Sequence, residues 1–268
     1  MAGAIFRETL RRHWRQMLYW GIGLGLLGFY VLVVIKDVDM LAQYASIVES
    51  MPPVLMQMFG VGDAAALATP EGFMSFGFFG YTLLMLAVYA VMAGLNVTAN
   101  EEEDGILDVL LAQPVPRWRV MVEKLLAYAL ASVGILAVAF LFILAGMQVS
   151  GMPISVGRML EGSVNMLPST WLMIAFTAFA AVVFRRRGTA VMVASVFIIA
   201  SYFINFLGEA ASGSLANALQ AVSFFSYYDP NAVMVSGLNA GSIALLLGVT
   251  AALAAGALWA FQRRDVGV

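Results

Sequence analysis

The residues best suited to chemistry in this 268-residue chain lie in one short acidic segment. It reads Glu-Glu-Glu-Asp-Gly-Ile-Leu-Asp-Val-Leu-Leu-Ala-Gln-Pro-Val-Pro-Arg over residues 101–117. Ile106, Val109 and Leu110 are spaced i, i+3 and i+4, which predicts a short amphipathic helix. The acidic cluster lies at its amino end, where the helix dipole favours negative charge, and Pro114 marks its end. Such a helix could dock into a groove of a partner protein, or it could be a solvated surface with no further role.

Residues for catalysis or nucleotide binding are scarce elsewhere in the chain. His13 is the only histidine and cysteine is absent, so a His metal cluster, a Ser-His-Asp triad and disulfides are excluded. The two lysines, Lys36 and Lys124, do not follow a glycine, so there is no phosphate-binding loop of the Gly-x-x-x-x-Gly-Lys-Ser/Thr type. We therefore expect this chain to be neither an ATPase nor an enzyme, and to bind no metal or cofactor itself.

The composition predicts that lipid surrounds most of the chain. Hydrophobic residues make up 62% and charged residues 11%, whereas soluble domains average about 45–50% apolar and about 25% charged residues. The formal net charge of -2 offers no surplus of Lys and Arg for binding phosphates. The lipid bilayer is thus an expected partner, and nucleic acid is not.

Six apolar runs without ionisable residues are expected to cross this bilayer. A charge at the centre of a membrane helix costs roughly 2.5–3.5 kcal/mol on insertion scales, so runs free of charge mark the spans. The first run is too long for the apolar part of a secretory signal, which has roughly 7–15 residues, and we expect it to stay uncleaved. The predicted spans are residues 17–35, 77–95, 125–147, 167–184, 189–207 and 242–261.

The positions of Lys and Arg predict the orientation of these spans. Of the 14 Lys and Arg residues, only Lys36 and Arg158 fall on one side of the membrane. Basic residues in short loops are retained in the cytoplasm, so the other side is expected to be cytoplasmic. We therefore predict a multi-pass protein of the plasma or inner membrane with both termini in the cytoplasm.

The sequence allows two roles for each of two kinds of segment outside the spans. The basic amino terminus, residues 7–15, is either a helix on the membrane surface or a simple topological anchor. The longer outer connections contain apolar stretches at residues 53–59 and 215–225. These stretches predict short interfacial helices, which either cover the bundle or act as a gate.

The acidic segment resembles the coupling region of ABC exporter permeases of the class called type V. In that family a Glu is followed four residues later by Gly, and then by a Leu-rich stretch, Pro and Arg. Ile106 and Pro116 depart from the pattern, since the family usually has Thr and often Ser there. Matching residues are Glu101, Gly105, Leu107, Asp108, Leu110, Leu111, Pro114, Arg117 and Lys124.

Three further segments extend the resemblance over most of the chain. Residues 51–60 and 69–73 are similar to the outer segment before the second span of these permeases. Residues 223–230 are similar to their last outer connection, and residues 261–266 to their carboxyl-terminal ending. The resemblance implies one transmembrane permease domain over residues 1–268, an all-α bundle of six membrane helices. It places a cytoplasmic coupling helix between spans 2 and 3.

The same resemblance implies partners and a set of coupling residues. ATP and Mg would be bound by a separate cytoplasmic ABC ATPase subunit, present in two copies beneath two permease chains that are identical or related. The cargo would be apolar or amphiphilic. The residues expected to couple the two subunits are Glu101, Glu102, Glu103, Asp104, Gly105, Leu107, Asp108, Leu110, Leu111, Pro114 and Arg117.

Two other classes of function compete with an ATP-driven exporter. A channel or carrier that works without ATP would be expected to have charged residues on an ion path within the spans, and the predicted spans have none. A membrane-embedded enzyme would need polar catalytic groups, and the spans offer Asn205 with scattered Ser and Thr. Neither alternative accounts for the acidic segment.

Overall fold

The computed structural model of the protein describes residues 3–34, 38–50, 67–106, 115–211 and 213–263. These residues are helical throughout, with short connections and no strand among them. A π-helical turn, Ser75–Phe79, joins α3 to α4, and a 3-10 helix, Phe224–Tyr227, precedes α10. The α-helices within the described ranges are α1 (Ala4–Val34), α2 (Val38–Glu49), α3 (Pro70–Met74), α4 (Gly80–Leu95), α5 (Ala99–Glu103), α6 (Arg117–Ser150), α7 (Val156–Phe184), α8 (Arg187–Ala210), α9 (Ser214–Val222), α10 (Pro230–Ser236) and α11 (Ala240–Arg263).

The six predicted spans are confirmed as six helices that are long and apolar enough to cross a membrane. Five are α1, α6, α7, α8 and α11, and the sixth is the continuous helical stretch Pro70–Leu95 that includes α3 and α4. Each helix extends beyond the apolar run that predicted it. Polar residues at the ends of the runs still favour helical backbone, whereas hydropathy marks only the part surrounded by hydrocarbon.

The amino terminus belongs to the first membrane helix. α1 runs without a break from Ala4 to Val34, so the basic residues form its first turns. In the described part of the chain they are not a separate helix on the membrane surface, which was one of the two predictions. The absence of Gly and Pro between residues 4 and 20 explains this continuity.

Glycines allow α1 to pack closely against α6. A Cβ atom added to Gly25 would lie 2.8 Å from the Cβ of Phe142, and one added to Gly21 would lie 2.7 Å from the Cβ of Val138. Small residues spaced four apart let two helix backbones approach each other within a membrane. This contact fixes α1 beside α6 along much of their length.

α7 is the most enclosed of the six long helices. Of its most apolar 18-residue window 67% is buried, against 22% for α8 and 11% for α11. It packs against α4, α6, α8, α10 and α11. The outer faces of α8 and α11 are therefore left for lipid or for another chain.

Charged residues gather at one end of the bundle, which we call the basic end. It comprises the start of α1, α5, the start of α6 and the turn between α7 and α8. Contacts between these elements define it: Gly3 donates to Glu123, Lys124 pairs with Glu101, and Arg187 pairs with Glu103.

Short helices cover the opposite end. The predicted interfacial stretch at residues 215–225 forms most of α9 and the start of the 3-10 helix, while the stretch at residues 53–59 lies outside the described residues. The hydroxyl of Tyr228 donates to the carbonyl oxygen of Phe79 at 2.9 Å. The Asn165 side chain donates to the carbonyl oxygen of Tyr228, so these short helices are tied to both the π-helical turn and α7.

Candidate coupling site at the basic end

The acidic residues form a helix of their own. α4 ends at Leu95, and α5 follows as a five-residue helix, Ala99–Glu103. Gly105 has a φ of 69°, a left-handed conformation that commonly ends a helix and that glycine adopts at little cost. Ile106 is helical again. The sequence pattern predicted a single short helix that begins with the acidic cluster, and it did not predict the turn at Asp104 and Gly105.

A buried ion pair ties α5 to α6. The ammonium group of Lys124 contacts the carboxylate of Glu101 and donates to the carbonyl oxygen of Val97 at 3.2 Å. Lys124 is only 2% exposed. Losing either partner of such a pair leaves an uncompensated charge away from water, which is strongly destabilising. The position of Glu101 is thus firmly set relative to the start of α6.

A second, exposed ion pair links α5 to α8. The carboxylate of Glu103 lies 3.3 Å from the guanidinium of Arg187, and both side chains are more than half exposed. Exposed pairs of this kind contribute at most about 1 kcal/mol. Glu102 is half-buried and Asp104 is exposed. The short acidic helix therefore touches two spans, firmly at α6 and loosely at α8.

Side-chain hydrogen bonds at the basic end link α6 to α1. Beside them, the side chain of Asn100 donates to that of Asn96. The Tyr128 hydroxyl lies 2.9 Å from Nε2 of His13, and Nδ1 of His13 lies 3.0 Å from Oε1 of Gln16. An amide oxygen only accepts, so with Gln16 in this orientation Nδ1 carries the proton and Nε2 accepts from Tyr128. Tyr128 on α6 therefore donates to His13 on α1, and His13 donates to Gln16.

The start of α1 is held by a carboxylate on α6. The two oxygens of Glu123 accept hydrogen bonds from the backbone N–H groups of Gly3 and Phe6, each at 3.1 Å. Arg119 donates to the same carboxylate at 2.7 Å. The first N–H groups of a helix have no partner within it, so a carboxylate placed there stabilises the helix end. α1 therefore begins at a position that α6 defines.

Tyr128 is the residue on which these contacts converge. Its backbone carbonyl accepts from the hydroxyl of Tyr89 at 3.2 Å, and its ring packs against His13 with centroids 5.3 Å apart. It is 3% exposed. Displacement of α6 at Tyr128 would consequently reach α1 and α4 together through contacts that are already in place.

The structure describes about half of the predicted coupling residues. Glu101, Glu102 and Glu103 lie in α5, Asp104 and Gly105 follow it, and Arg117 begins α6. The other predicted residues, Leu107, Asp108, Leu110, Leu111 and Pro114, lie outside the described residues.

Sequence reasoning missed four residues of this site: Asn96, Glu123, Tyr128 and His13. His13 carried the one usable signal, because it is a lone histidine in a chain with few polar residues. That signal excludes a His metal cluster and a triad but does not indicate a hydrogen bond to another helix. Within the described ranges, no three His, Cys, Asp or Glu side chains lie close enough together to hold a metal ion.

Six helices that are long and apolar enough to cross a membrane define a multi-pass membrane protein. Residues 8–262 match the family described as "Multidrug efflux system permease Rv1217c, C-terminal domain", and the chain belongs to that family. No curated protein and no solved structure matches the chain. Membership of a permease family supports a role in transport.

Proposed function

We propose that this chain is the membrane-spanning permease subunit of an ABC-type exporter. ATP and Mg are bound by a separate cytoplasmic ATPase, two copies of which act beneath two permease chains, either identical or related. The family match supports transport as the role. The sequence supports a separate ATPase, because neither of its two lysines stands in a phosphate-binding loop.

The observation that carries this proposal is the buried ion pair between Glu101 and Lys124. It joins the segment between spans 2 and 3 to the start of α6, a helix of 34 residues that crosses the whole bundle. In our proposal residues 105–114 dock into a cleft of the ATPase, and Glu101 to Asp104 orient them. Closure of the ATPase dimer then moves α5 and, through Lys124, tilts or shifts α6.

The exposed faces of α4 and α8 support an apolar or amphiphilic cargo. They present Met85, Met92, Met192 and Phe203, each at least 41% exposed. Methionine and aromatic side chains adapt to many apolar shapes, which suits a multidrug permease. In the working dimer we place these faces toward the path between the two permease chains.

Co-purification tests the docking step. A tagged permease solubilised from native membranes is expected to bring down an ATPase subunit, and Leu110→Asp is expected to release it. Leu215→Asp is the matched control, because Leu215 is 62% exposed on α9 at the opposite end. A stable permease that brings down no ATPase contradicts the proposal and favours a channel, a carrier or a membrane enzyme.

A second variant separates docking from transmission. Lys124→Met removes the link to α6 and leaves residues 105–114 unchanged, so we expect the ATPase to remain bound while ATP-driven export falls. Export is measured in inside-out vesicles that contain the complex. Unchanged export by a folded Lys124→Met protein would show that force does not pass through this pair.

A further inference from the structure

The chain turns back on itself after α8. α9 begins four residues after α8 ends. The side chain of Gln220 on α9 donates to the carbonyl oxygen of Gly208 on α8 at 3.4 Å, and a Cβ atom added to Gly208 would lie 2.9 Å from Cγ of Gln220. α9 therefore runs antiparallel to the end of α8, back in the direction of the basic end.

The connection between α9 and the 3-10 helix lies level with Ser201 of α8. The hydroxyl of Ser223 donates to the carbonyl oxygen of Ser201 at 2.7 Å, and the backbone N–H of Phe224 donates to the Ser201 hydroxyl at 3.1 Å. Ser201 precedes Glu209, the last charged residue of α8, by eight residues. Eight residues of α-helix span about 12 Å. The connection thus lies well inside the apolar part of span 5.

This connection meets two requirements for polypeptide inside a bilayer. Backbone that is not α-helical is tolerated there only where protein covers it, and Ser223, Phe224 and Phe225 are each at most 7% exposed. A charge would be costly at this depth, and residues 210–228 contain no charged residue. The depth that the contacts with α8 define is therefore compatible with a hydrocarbon environment.

α9 turns one apolar face outward. Leu215 is 62% exposed and Val222 is 76% exposed, and they share a face of the helix because they are seven residues apart. The segment packs on the buried side of α8: Ser201 is 5% exposed, whereas Phe203, about 160° around the helix, is 57% exposed. α9 therefore lies away from the face of α8 that we place along the path between two permease chains.

We propose that α9 inserts into the leaflet at the end opposite the basic end and that its exposed face contacts the acyl chains of this leaflet. Val222 lies among the acyl chains, whereas Leu215, seven residues earlier, lies about 10 Å nearer the headgroups. Removal of these side chains from water stabilises the position of α9 and of the 3-10 helix that follows it. The proposal does not depend on whether the chain is driven by ATP.

Two valines provide a matched pair for a test of depth. Val222 on α9 is 76% exposed and Val235 on α10 is 79% exposed. The carbonyl oxygen of Val235 accepts from Arg158, which also pairs with Glu161, so Val235 lies at a charged and hydrated level. Because the chain has no native cysteine, a bimane label on Val222→Cys or Val235→Cys reports on one position only.

The labelled full-length protein is measured in phosphatidylcholine vesicles with two quenchers. We expect a nitroxide midway along the acyl chain to quench the label at Val222→Cys several-fold more strongly than the label at Val235→Cys, and aqueous iodide to show the reverse order. Equal quenching of both labels by iodide would place α9 outside the bilayer and overturn the proposal. Shielding of the Val222→Cys label from both quenchers would mean that another protein chain covers this face, which overturns it as well.

A pair of charged variants tests the same depth without a label. Val222→Asp places a carboxylate among acyl chains, so its unfolding midpoint in vesicles is expected to fall or the protein is expected not to fold. Val235→Asp is the control near the end of another short helix, and we expect its midpoint to be unchanged. Equal midpoints of the two variants would contradict the insertion of α9.

Discussion

The ammonium group of Lys124 meets the carboxylate of Glu101 at a point where Lys124 is almost fully shielded from water. The two residues are 23 positions apart and belong to different helices, so the contact fixes how the polypeptide returns into the membrane after span 2. Its replacement is therefore the most informative single change at the basic end.

Lys124→Met is expected to destabilise the protein by about 3 kcal/mol, because Glu101 is left without its cation in a poorly hydrated position. The measurement is the unfolding midpoint of the purified protein in detergent. The double variant Lys124→Met, Glu101→Met should recover most of that loss, since the unpaired charge is then gone. Equal stability of the single and double variants would show that the pair is solvated and energetically unimportant.

Arg187→Gln tests the exposed ion pair between α5 and α8. It removes the contact with Glu103 on the protein surface, and we expect it to change stability by less than about 1 kcal/mol. The difference between this variant and Lys124→Met is measured in the same unfolding experiment. A loss at Arg187 as large as that at Lys124 would contradict the ranking of the two links.

His13→Phe should destabilise the contact between α1 and α6 by about 1–3 kcal/mol. The substitution retains a ring against Tyr128 but removes the acceptor for its buried hydroxyl. Tyr128→Phe removes the donor as well and is expected to cost less in the His13→Phe background than in the natural sequence. A double-mutant cycle on the unfolding midpoints measures this coupling, and strict additivity would mean that the hydrogen bond contributes nothing.

Gly25→Ala is expected to destabilise the protein by about 1–3 kcal/mol because its new methyl group would overlap Phe142. Gly23→Ala is the matched control two residues away, where nothing lies within 4 Å of an added Cβ atom. There we expect no loss, since alanine favours the helix more than glycine does. Unfolding midpoints compare the two variants, and equal effects would contradict the close packing of α1 on α6.

Cysteine labelling tests the proposed orientation, and the absence of native cysteine makes it direct. Asp104→Cys places a thiol at the basic end, and Leu215→Cys places one at the opposite end. A membrane-impermeant maleimide is expected to label Leu215→Cys in intact cells and Asp104→Cys only in inside-out vesicles. The reverse pattern would put the basic end outside the cell and exclude docking to a cytoplasmic ATPase.

Hydropathy predicted the six membrane helices because the cost of burying charge in hydrocarbon acts on each run by itself. It did not predict where the helices end. α6 begins at Arg117, eight residues before the predicted start at residue 125, and includes Arg119, Glu123 and Lys124. Those polar turns lie outside the apolar run, so the criterion that located the span carried no information about them.

The partners of the site residues depend on tertiary contacts that no local pattern encodes. The sequence distinguishes Glu101 and Lys124 only through their spacing in the resemblance to exporter permeases. The contact between His13 and Tyr128 joins residues 115 positions apart. It follows from the packing of α1 on α6, which the glycines at positions 21 and 25 permit.

The hydrogen bonds between Glu123 and the first turn of α1 have a consequence for biosynthesis. α1 leaves the ribosome well before residue 123 has been made, so its leading N–H groups are satisfied by water or headgroups at first. Only after the start of α6 emerges do Gly3 and Phe6 acquire the acceptors seen in the folded protein. The first turn of α1 is thus synthesised well before its final anchor, which lies 120 residues further along the sequence.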